Sequence, residues 1–389
     1  MTLRRKIAYA RKVWPAATWR GLKSEVRTPV HLIFAMADHF EPAIDPEDGY
    51  KRVPRSEQER RVDWWAREYP KAAERWRDDD GRPFVHTYFY PAEQYDEGLL
   101  QRLAEHCHSG WGETEIHLHH GQSQPDSADN LRRLLIEFRD RLAFQHNCLA
   151  TDGGSPRYCF VHGNFALANS RDGRDCGVDS EMKILAETGC YADFTLPAGP
   201  WHAAQTAKNN SLYECGLRLE QPVPHRKGRN LAVGRVPRIF PLMLQGPLLA
   251  DVRGSVRRLR PVLDRGAITQ GNPMSLDRLA LWKRARIRVR GRPDWLFIKL
   301  HCHGMDPTQA DAVLGNPFRQ FLAQLVGGAK ERKETLHFVT AREMANIVLA
   351  ACDGKERNPG EYRDYRFKPF KSLRARPEKL DSDPVAVKG

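Results

Sequence analysis

The sequence predicts an α/β fold with a parallel sheet, and three observations lead to that prediction. Short apolar runs rich in β-branched and aromatic residues alternate along the chain with longer stretches of helical period. The apolar runs show little alternation between polar and apolar residues, which indicates strands buried on both faces. About seven strand–helix units follow one another in one direction, and this number favours a closed, irregular barrel over an open doubly wound sheet.

The predicted elements follow one another with ordinary start and stop signals. The strands are His31–Ala37, Phe84–Phe89, Glu115–His119, Tyr158–Val161, Tyr191–Leu196, Trp295–Leu300 and Thr335–Val339. The helices are Ser56–Trp76, Ala92–Cys107, Ala128–Leu142, Ser180–Glu187, Ser275–Arg286, Pro317–Val326 and Ala341–Ala351. Pro70 should kink or end the first helix. Asp126 or Ser127 should cap the third helix, and Gly189 should end the fourth.

Length and composition define the class of protein. The chain has 389 residues, 41% hydrophobic and 29% charged, which is ordinary for a soluble globular protein and excludes wholesale disorder. We expect one domain over residues 28–352, between a basic N-terminal segment 1–27 and a polar C-terminal tail 353–389. The apolar runs are far shorter than the ~20 residues that span a bilayer. Segment 1–27 also lacks the features of a secretory signal.

The charge and the cysteines bear on partners and location. The net charge is +13, and residues 217–300 alone carry 19 Lys/Arg against 5 Asp/Glu. This basic block, a long insertion late in the barrel, would suit an anionic glycan or a membrane surface, or could be a solvated face. Nucleic acid is disfavoured because no recognition motif accompanies the charge. Eight scattered cysteines without CxxC spacing fit a cytoplasmic protein, with a peripheral position at the inner face of the membrane as an option.

Polar side chains concentrate at the predicted strand ends, where parallel α/β folds build their sites. His117 and His119 are two residues apart on a strand and so point to one face, and His301 and His303 share this relation. Two imidazoles from one strand and a carboxylate from another, such as Asp38, would hold a divalent cation with one position open. Such a cation polarises a carbonyl group and lowers the pKa of water.

Other polar residues lie near the same predicted edge. His120 has the opposite parity to His117 and lies at the loop, where it could contact substrate. His162 and Asn164 could line the pocket, and Asp193 could orient a catalytic group. Each of these four residues, taken alone, is also compatible with an ordinary core or loop role.

Five segments in this order resemble the polysaccharide deacetylase superfamily: Phe34–Pro42, Glu115–Gly121, Tyr158–Asn164, Ala192–Pro197 and Ile298–Gly304. The resemblance implies a distorted (β/α)7 barrel, one divalent metal ion, in the first place zinc, and removal of an acetyl group from a carbohydrate. The chain departs from the family, which has two consecutive aspartates in the first motif, by having Asp38 followed by His39. In the second motif it has histidines at 117, 119 and 120 where the family has two that are four residues apart.

The resemblance also implies roles for single residues. Asp38, His117 and His119 would hold the metal, with His39 as the alternative ligand. Asp38 would take the proton of the attacking water if it is not a ligand. His301 or His303 would protonate the leaving group.

Other functions use the same ingredients. Amidohydrolase- or phosphoesterase-like barrels also collect His and Asp at strand ends, but they usually have an HxH pair on the first strand. A glycoside hydrolase would need two carboxylates flanking a sugar, and Asp38 with Asp193 is the obvious pair. A basic protein that binds nucleic acid or a membrane surface without catalysis is the alternative outside enzymes.

Overall fold

The computed structural model describes residues 3–24, 26, 29–48, 51–198, 207–215, 218–221, 228–259 and 261–370. The helices in this part of the chain are α1 (Leu3–Gly21), α2 (Arg55–Ala73), α3 (Glu97–His106), α4 (Ala128–Asp140), α5 (Glu181–Thr188), α6 (Val252–Arg258), α7 (Leu276–Ala285), α8 (Ala310–Leu314), α9 (Asn316–Gly327) and α10 (Ala341–Cys352). The strands are β1 (Val30–His39), β2 (His86–Pro91), β3 (Gly112–Leu118), β4 (Ala150–Asp152), β5 (Ser155–His162), β6 (Cys190–Asp193), β7 (Leu212–Glu214), β8 (Arg229–Asn230), β9 (Leu242–Leu244), β10 (Leu249–Ala250), β11 (Leu263–Asp264), β12 (Trp295–Cys302), β13 (Glu334–Phe338) and β14 (Lys368–Pro369).

The fold is mixed α/β with a mostly parallel central sheet, as the sequence predicts. The parallel strands follow the order β12-β1-β2-β3-β5-β6-β9, and β13 pairs with the first half of β1. The shorter strands β7 and β8 add antiparallel pairs at the end. The parallel order brings the carboxyl ends of β1, β3, β5 and β12 to one edge of the sheet.

Both faces of the sheet are covered by apolar cores, and successive residues of a strand alternate between them. Leu32, Phe34 and Met36 of β1 pack in one core, whereas Ile33 and Ala35 pack in the other. We call the first the even face and the second the odd face, after the residue numbers in β1. The same division by even and odd number holds in β3, β5 and β12, so a side chain's parity fixes its face at the strand ends.

Several local signals are confirmed. The Ser127 hydroxyl accepts the N–H of Asn130 and caps α4, and Gly189 adopts a left-handed conformation at the end of α5. The prediction for Pro70 is not confirmed in the same way, because α2 continues through this proline and ends at Ala73. The first strand continues two residues beyond the predicted end, so Asp38 and His39 belong to β1.

The two ends of the chain pack against this core where they are described. Tyr9 and Val13 of α1 are buried beside Leu248. The polar tail predicted from residue 353 is packed as far as 370: Phe367 is buried, and its carbonyl accepts a hydrogen bond from Asn346. The rest of the predicted tail lies outside the described residues. Among the helices described, none has the length and apolar character needed to cross a bilayer.

Candidate functional site

The ends of β1 and β3 bring two histidines and one glutamate together on the odd face. His39, Glu41 and His117 each place a potential ligand atom within 4.8 Å of the other two, and all three residues are buried. Glu41 Oε1 lies 3.6 Å from Nε2 of His117, and the His39 and His117 rings are 4.9 Å apart. We call these three residues the first site. Two imidazoles and one carboxylate are a donor set of catalytic divalent cations.

The hydrogen bonding of His117 leaves one of its nitrogens available to a cation. Nδ1 donates to the carbonyl oxygen of Val161 at 2.8 Å, so in the neutral ring the lone pair lies on Nε2. This Nε2 is buried and has no hydrogen-bond partner among the described residues. A buried polar atom without a partner costs about 1–3 kcal/mol. A cation held beside Glu41 would satisfy it, so the residues of the first site fit a metal ion.

The pKa values of Glu41 and His39 also favour the binding of a cation at the first site. Burial by itself would raise the pKa of Glu41, but His117, His119 and His303 around it lower that pKa to about 2. Burial, with His303 as the next cause, holds the pKa of His39 well below its usual range. The carboxylate is therefore ionised and the His39 ring neutral at physiological pH, which is the protonation state in which both bind metals.

His119 borders the first site and is oriented by a carboxylate. Its Nε2 lies 3.4 Å from Glu41 Oε1, and its Nδ1 donates to Glu93 Oε1 at 2.8 Å. Glu93 also accepts the backbone N–H of His119. Gly163 lies so close that a Cβ there would collide with the His119 ring. A histidine held by a carboxylate in this way is suited to carrying a proton.

His301 and His303 reach the same face from the end of β12. The His303 ring is 4.7 Å from the His39 ring, and its Nε2 lies 3.8 Å from Glu41 Oε2. The His301 ring is farther from His39, at 6.1 Å, and is buried. The side chain of His303 is 37% exposed, compared with 14% for His119. Of His301 and His303, His303 is therefore the more accessible to an incoming substrate, since His301 is buried.

One wall of the first site is aromatic. The Phe165 ring lies 6.0 Å from the His39 ring and 6.1 Å from the His301 ring. The Arg265 guanidinium stands 5.8 Å above this phenyl ring. Phe165 has a φ of 56°, a left-handed conformation that is strained for a bulky residue and is typical of functional loops.

Asp38 lies on the even face, away from the three residues of the first site. Its Oδ2 accepts a hydrogen bond from Nδ1 of His86 at 2.9 Å, and its Oδ1 accepts the N–H of Gly304 at 2.6 Å. It forms a separate buried group with His86 and Cys302. The reason is strand alternation: Asp38 and His39 are successive residues of β1, so their side chains point to opposite faces.

His120 and His162 meet each other on the even face. Their Nε2 atoms are 3.0 Å apart, and each lies close to Glu181 Oε1, at 3.2 and 3.3 Å. Cys176 completes a fully buried group of four possible ligands, which we call the second site. The enclosure of all four side chains gives the second site no surface for a substrate.

Asn164 and Asp193 belong to neither group of possible ligands, and both support residues next to the second site. The Asn164 amide donates to Asp175 Oδ1 at 3.3 Å, within the loop that carries Cys176. Asp193 accepts hydrogen bonds from the N–H and the hydroxyl of Thr195, and burial raises its pKa to about 7. The Thr195 hydroxyl in turn accepts the N–H of His162, so Asp193 supports the end of β5 from behind.

Sequence reasoning missed four charged or thiol residues of these clusters: Glu41, Glu93, Cys176 and Glu181. Of these four, Glu41 is the one that the sequence pattern could have indicated, since it has the parity of His39 and follows it by two residues.

No protein-family model matches this chain, and no similar protein was found among curated ones.

Proposed function

We propose that this protein is a metal-dependent hydrolase that removes an acyl group, in the first place acetyl, from a carbohydrate. The observation that carries the proposal is the first site: three convergent buried ligand atoms, one of them an imidazole Nε2 without a hydrogen-bond partner among the described residues. The substrate class comes from the resemblance of five segments to polysaccharide deacetylases. A divalent cation such as zinc supplies polarisation of the acyl carbonyl and a lowered pKa of water.

The chain's own residues divide the remaining work. His39, Glu41 and His117 hold the cation through two imidazoles and a carboxylate. His119, oriented by Glu93, takes the proton from the water that attacks the acyl carbon. The bond from this carbon to nitrogen or oxygen then breaks, and the accessible His303 gives a proton to the leaving amine or alkoxide.

Asp38 acts in this proposal as a positioning residue. Its carboxylate accepts the N–H of Gly304, directly after His303, and so fixes the turn that presents this histidine. Asp38 is not a ligand of the cation in this proposal. His39 takes the ligand role that the resemblance gives to an aspartate. In the same proposal the parallel strands close into a distorted (β/α)7 barrel around the first site.

The basic block over 217–300 serves in this proposal to hold the enzyme near an anionic glycan or membrane surface. Part of its charge is already used inside the fold. Arg278 is buried in an ion pair with Asp264, and Lys283 is buried against Glu334. The charge available to an anionic partner of any kind is therefore smaller than the sequence count.

The test is release of acetate by the purified full chain, with zinc added, from a panel of N- and O-acetylated glycans. We expect release by the wild-type protein, its abolition in His117→Ala, and an unchanged rate in His108→Ala, which changes an exposed histidine. Phosphate esters are tested beside the acetylated glycans as a second group of substrates. Acetate release that survives in His117→Ala, or phosphate release in place of acetate release, would contradict the proposal.

A further inference from the structure

The second site has the geometry of a four-coordinate metal centre. Zinc bonds of ~2.0–2.3 Å in a tetrahedron place neighbouring ligand atoms ~3.4 Å apart. The separations among Nε2 of His120, Nε2 of His162 and Oε1 of Glu181 are 3.0, 3.2 and 3.3 Å. The Cys176 thiol lies 3.7 Å from Oε2 of Glu181, and all four ligand atoms fall within 4.8 Å of one another.

The hydrogen bonds on the far side of the two rings point their lone pairs inward. His162 Nδ1 donates to the carbonyl oxygen of Gly163 at 2.6 Å, and His120 Nδ1 donates to Asp126 Oδ2 at 2.9 Å. When both rings are neutral, the Nε2 lone pair of each faces the other ring and Glu181, which is the orientation in which these side chains can bind one cation. An outer carboxylate or carbonyl behind each imidazole is also the usual support of a metal-binding histidine.

The surroundings indicate a structural centre and exclude a nucleophilic role for the thiol. Cys176 and Glu181 are 0% exposed, so no substrate reaches the sulfur. A closed set of four protein ligands is typical of structural zinc, whereas a catalytic centre keeps a position open. Imidazole, thiolate and carboxylate ligands together suit zinc better than magnesium or calcium.

The loop between β5 and α5 gives such a centre something to stabilise. Phe165, Ala168 and Asn169 all have positive φ, a conformation that residues other than glycine rarely adopt. The backbone of this loop is tied to the loop after β3 by Asp175 N to Gly121 O and by Asp126 N to Cys176 O. A cation would join the end of β3, the end of β5, this loop and the start of α5 at one point.

We propose that His120, His162, Cys176 and Glu181 bind a structural zinc-class cation, in addition to the cation of the first site and independently of it. The centre pins the loop that carries Phe165 against the strand ends. It does not depend on the proposed reaction, because its ligands lie on the even face of the sheet and those of the first site on the odd face.

The test combines metal analysis with cobalt substitution of the full chain. We expect two cations per chain in the wild type, with one lost in Cys176→Ser and the other lost in His117→Ala. The cobalt-loaded protein should show a thiolate-to-cobalt charge-transfer band, since the second site contains a cysteine and the first site does not. The band should persist in His117→Ala and disappear in Cys176→Ser. Chelation should lower the melting temperature of His117→Ala.

Two control variants keep the test decisive. Cys302→Ser removes the cysteine of the group around Asp38, and Cys190→Ser removes a buried thiol outside all three groups; both should keep the band. A band that survives in Cys176→Ser, or cobalt-loaded wild type without a band, would overturn the proposal. The measurement on cobalt-loaded wild-type protein does not depend on the folding of any variant. If only one cation binds and His117→Ala removes it, the second centre is refuted while the first site stands.

Discussion

Glu93 holds the His119 ring from behind: Nδ1 of His119 donates to Glu93 Oε1 at 2.8 Å, and the backbone N–H of His119 donates to Glu93 Oε2 at 3.2 Å. The carboxylate comes from the turn after β2, and the histidine follows β3. This contact turns Nε2 of His119 towards Glu41. It is the arrangement expected of a proton carrier beside a metal, because the carboxylate stabilises the ring after it takes up a proton.

Glu93→Gln tests the proton-carrying role of His119. The amide keeps a hydrogen-bond acceptor but no longer stabilises the protonated ring, so we expect kcat to fall about tenfold to a hundredfold. Metal content, KM and melting temperature should stay at wild-type values, because Glu93 touches none of the three ligands. Kinetics and metal analysis on the same preparation make the comparison. Lost metal with an unchanged kcat per bound cation would give Glu93 a different role.

Gly163→Ala tests the placement of the His119 ring. A methyl group at this position would collide with the ring and push it away from Glu41. We expect a fall in kcat, without loss of the cation held by His39, Glu41 and His117. Gly327→Ala, where a Cβ meets no atom of the described residues within 4 Å, is the matched control and should leave kcat unchanged. Equal activity of the two variants would show that the position of the ring is unimportant.

The hydrogen bonds of Lys299 lead to a prediction about the stability of the folded protein. Its buried amine donates to the carbonyl oxygens of Phe194 and Leu196, at 2.6 and 2.7 Å. Burial lowers its pKa to about 7. Lys299→Met keeps the apolar stem but leaves two buried carbonyls without this donor. The free energy of unfolding, measured with urea, should therefore fall by about 2–4 kcal/mol. The exposed Lys330→Met should change the free energy of unfolding by less than ~0.5 kcal/mol. Similar values for both variants would be inconsistent with this role.

His106 predicts a dependence of stability on pH. It is buried at the end of α3, with Nε2 2.9 Å from the Tyr88 hydroxyl, and burial together with His86 lowers its pKa from 6.5 to about 4. As pH falls from 6.5 towards 4, the unfolded chain takes up a proton that the folded protein refuses, so stability is lost across this window. The contribution between pH 7 and pH 5 is roughly 2 kcal/mol.

His106→Gln should remove this part of the loss. The measurement is the free energy of unfolding at both pH values, with a chelator present so that release of metal does not contribute. His108→Gln, an exposed neighbour, should behave like the wild type. An identical loss in His106→Gln and wild type would mean that His106 is not the group responsible.

The sheet and the faces of its strands could be predicted well from the sequence, because buried parallel strands leave long apolar runs. The spacing of His117 and His119 predicts that they share a face, and both border Glu41. The same rule separates Asp38 from His39. The rule could not be applied to Asp38 and His39 from the sequence, because the apolar run ends at Ala37 whereas β1 continues through His39.

The remaining site residues depend on loops whose paths no periodicity encodes. Glu93 lies in a turn far from His119 in the chain, and only the pairing of β2 with β3 brings them together. Cys176 reaches His120 and His162 through a loop with several left-handed residues, a conformation that the sequence does not specify. Its thiol therefore looks like one scattered cysteine among eight.

The most direct test of the metal site is an anomalous difference map from crystals of the zinc-loaded protein, recorded at the zinc absorption edge. The account predicts a peak on the odd face, within bonding distance (~2.0–2.2 Å) of His39, Glu41 and Nε2 of His117. The peak should be absent from crystals of His117→Ala. A map without density between these three residues, at zinc concentrations that saturate the protein, would contradict the account.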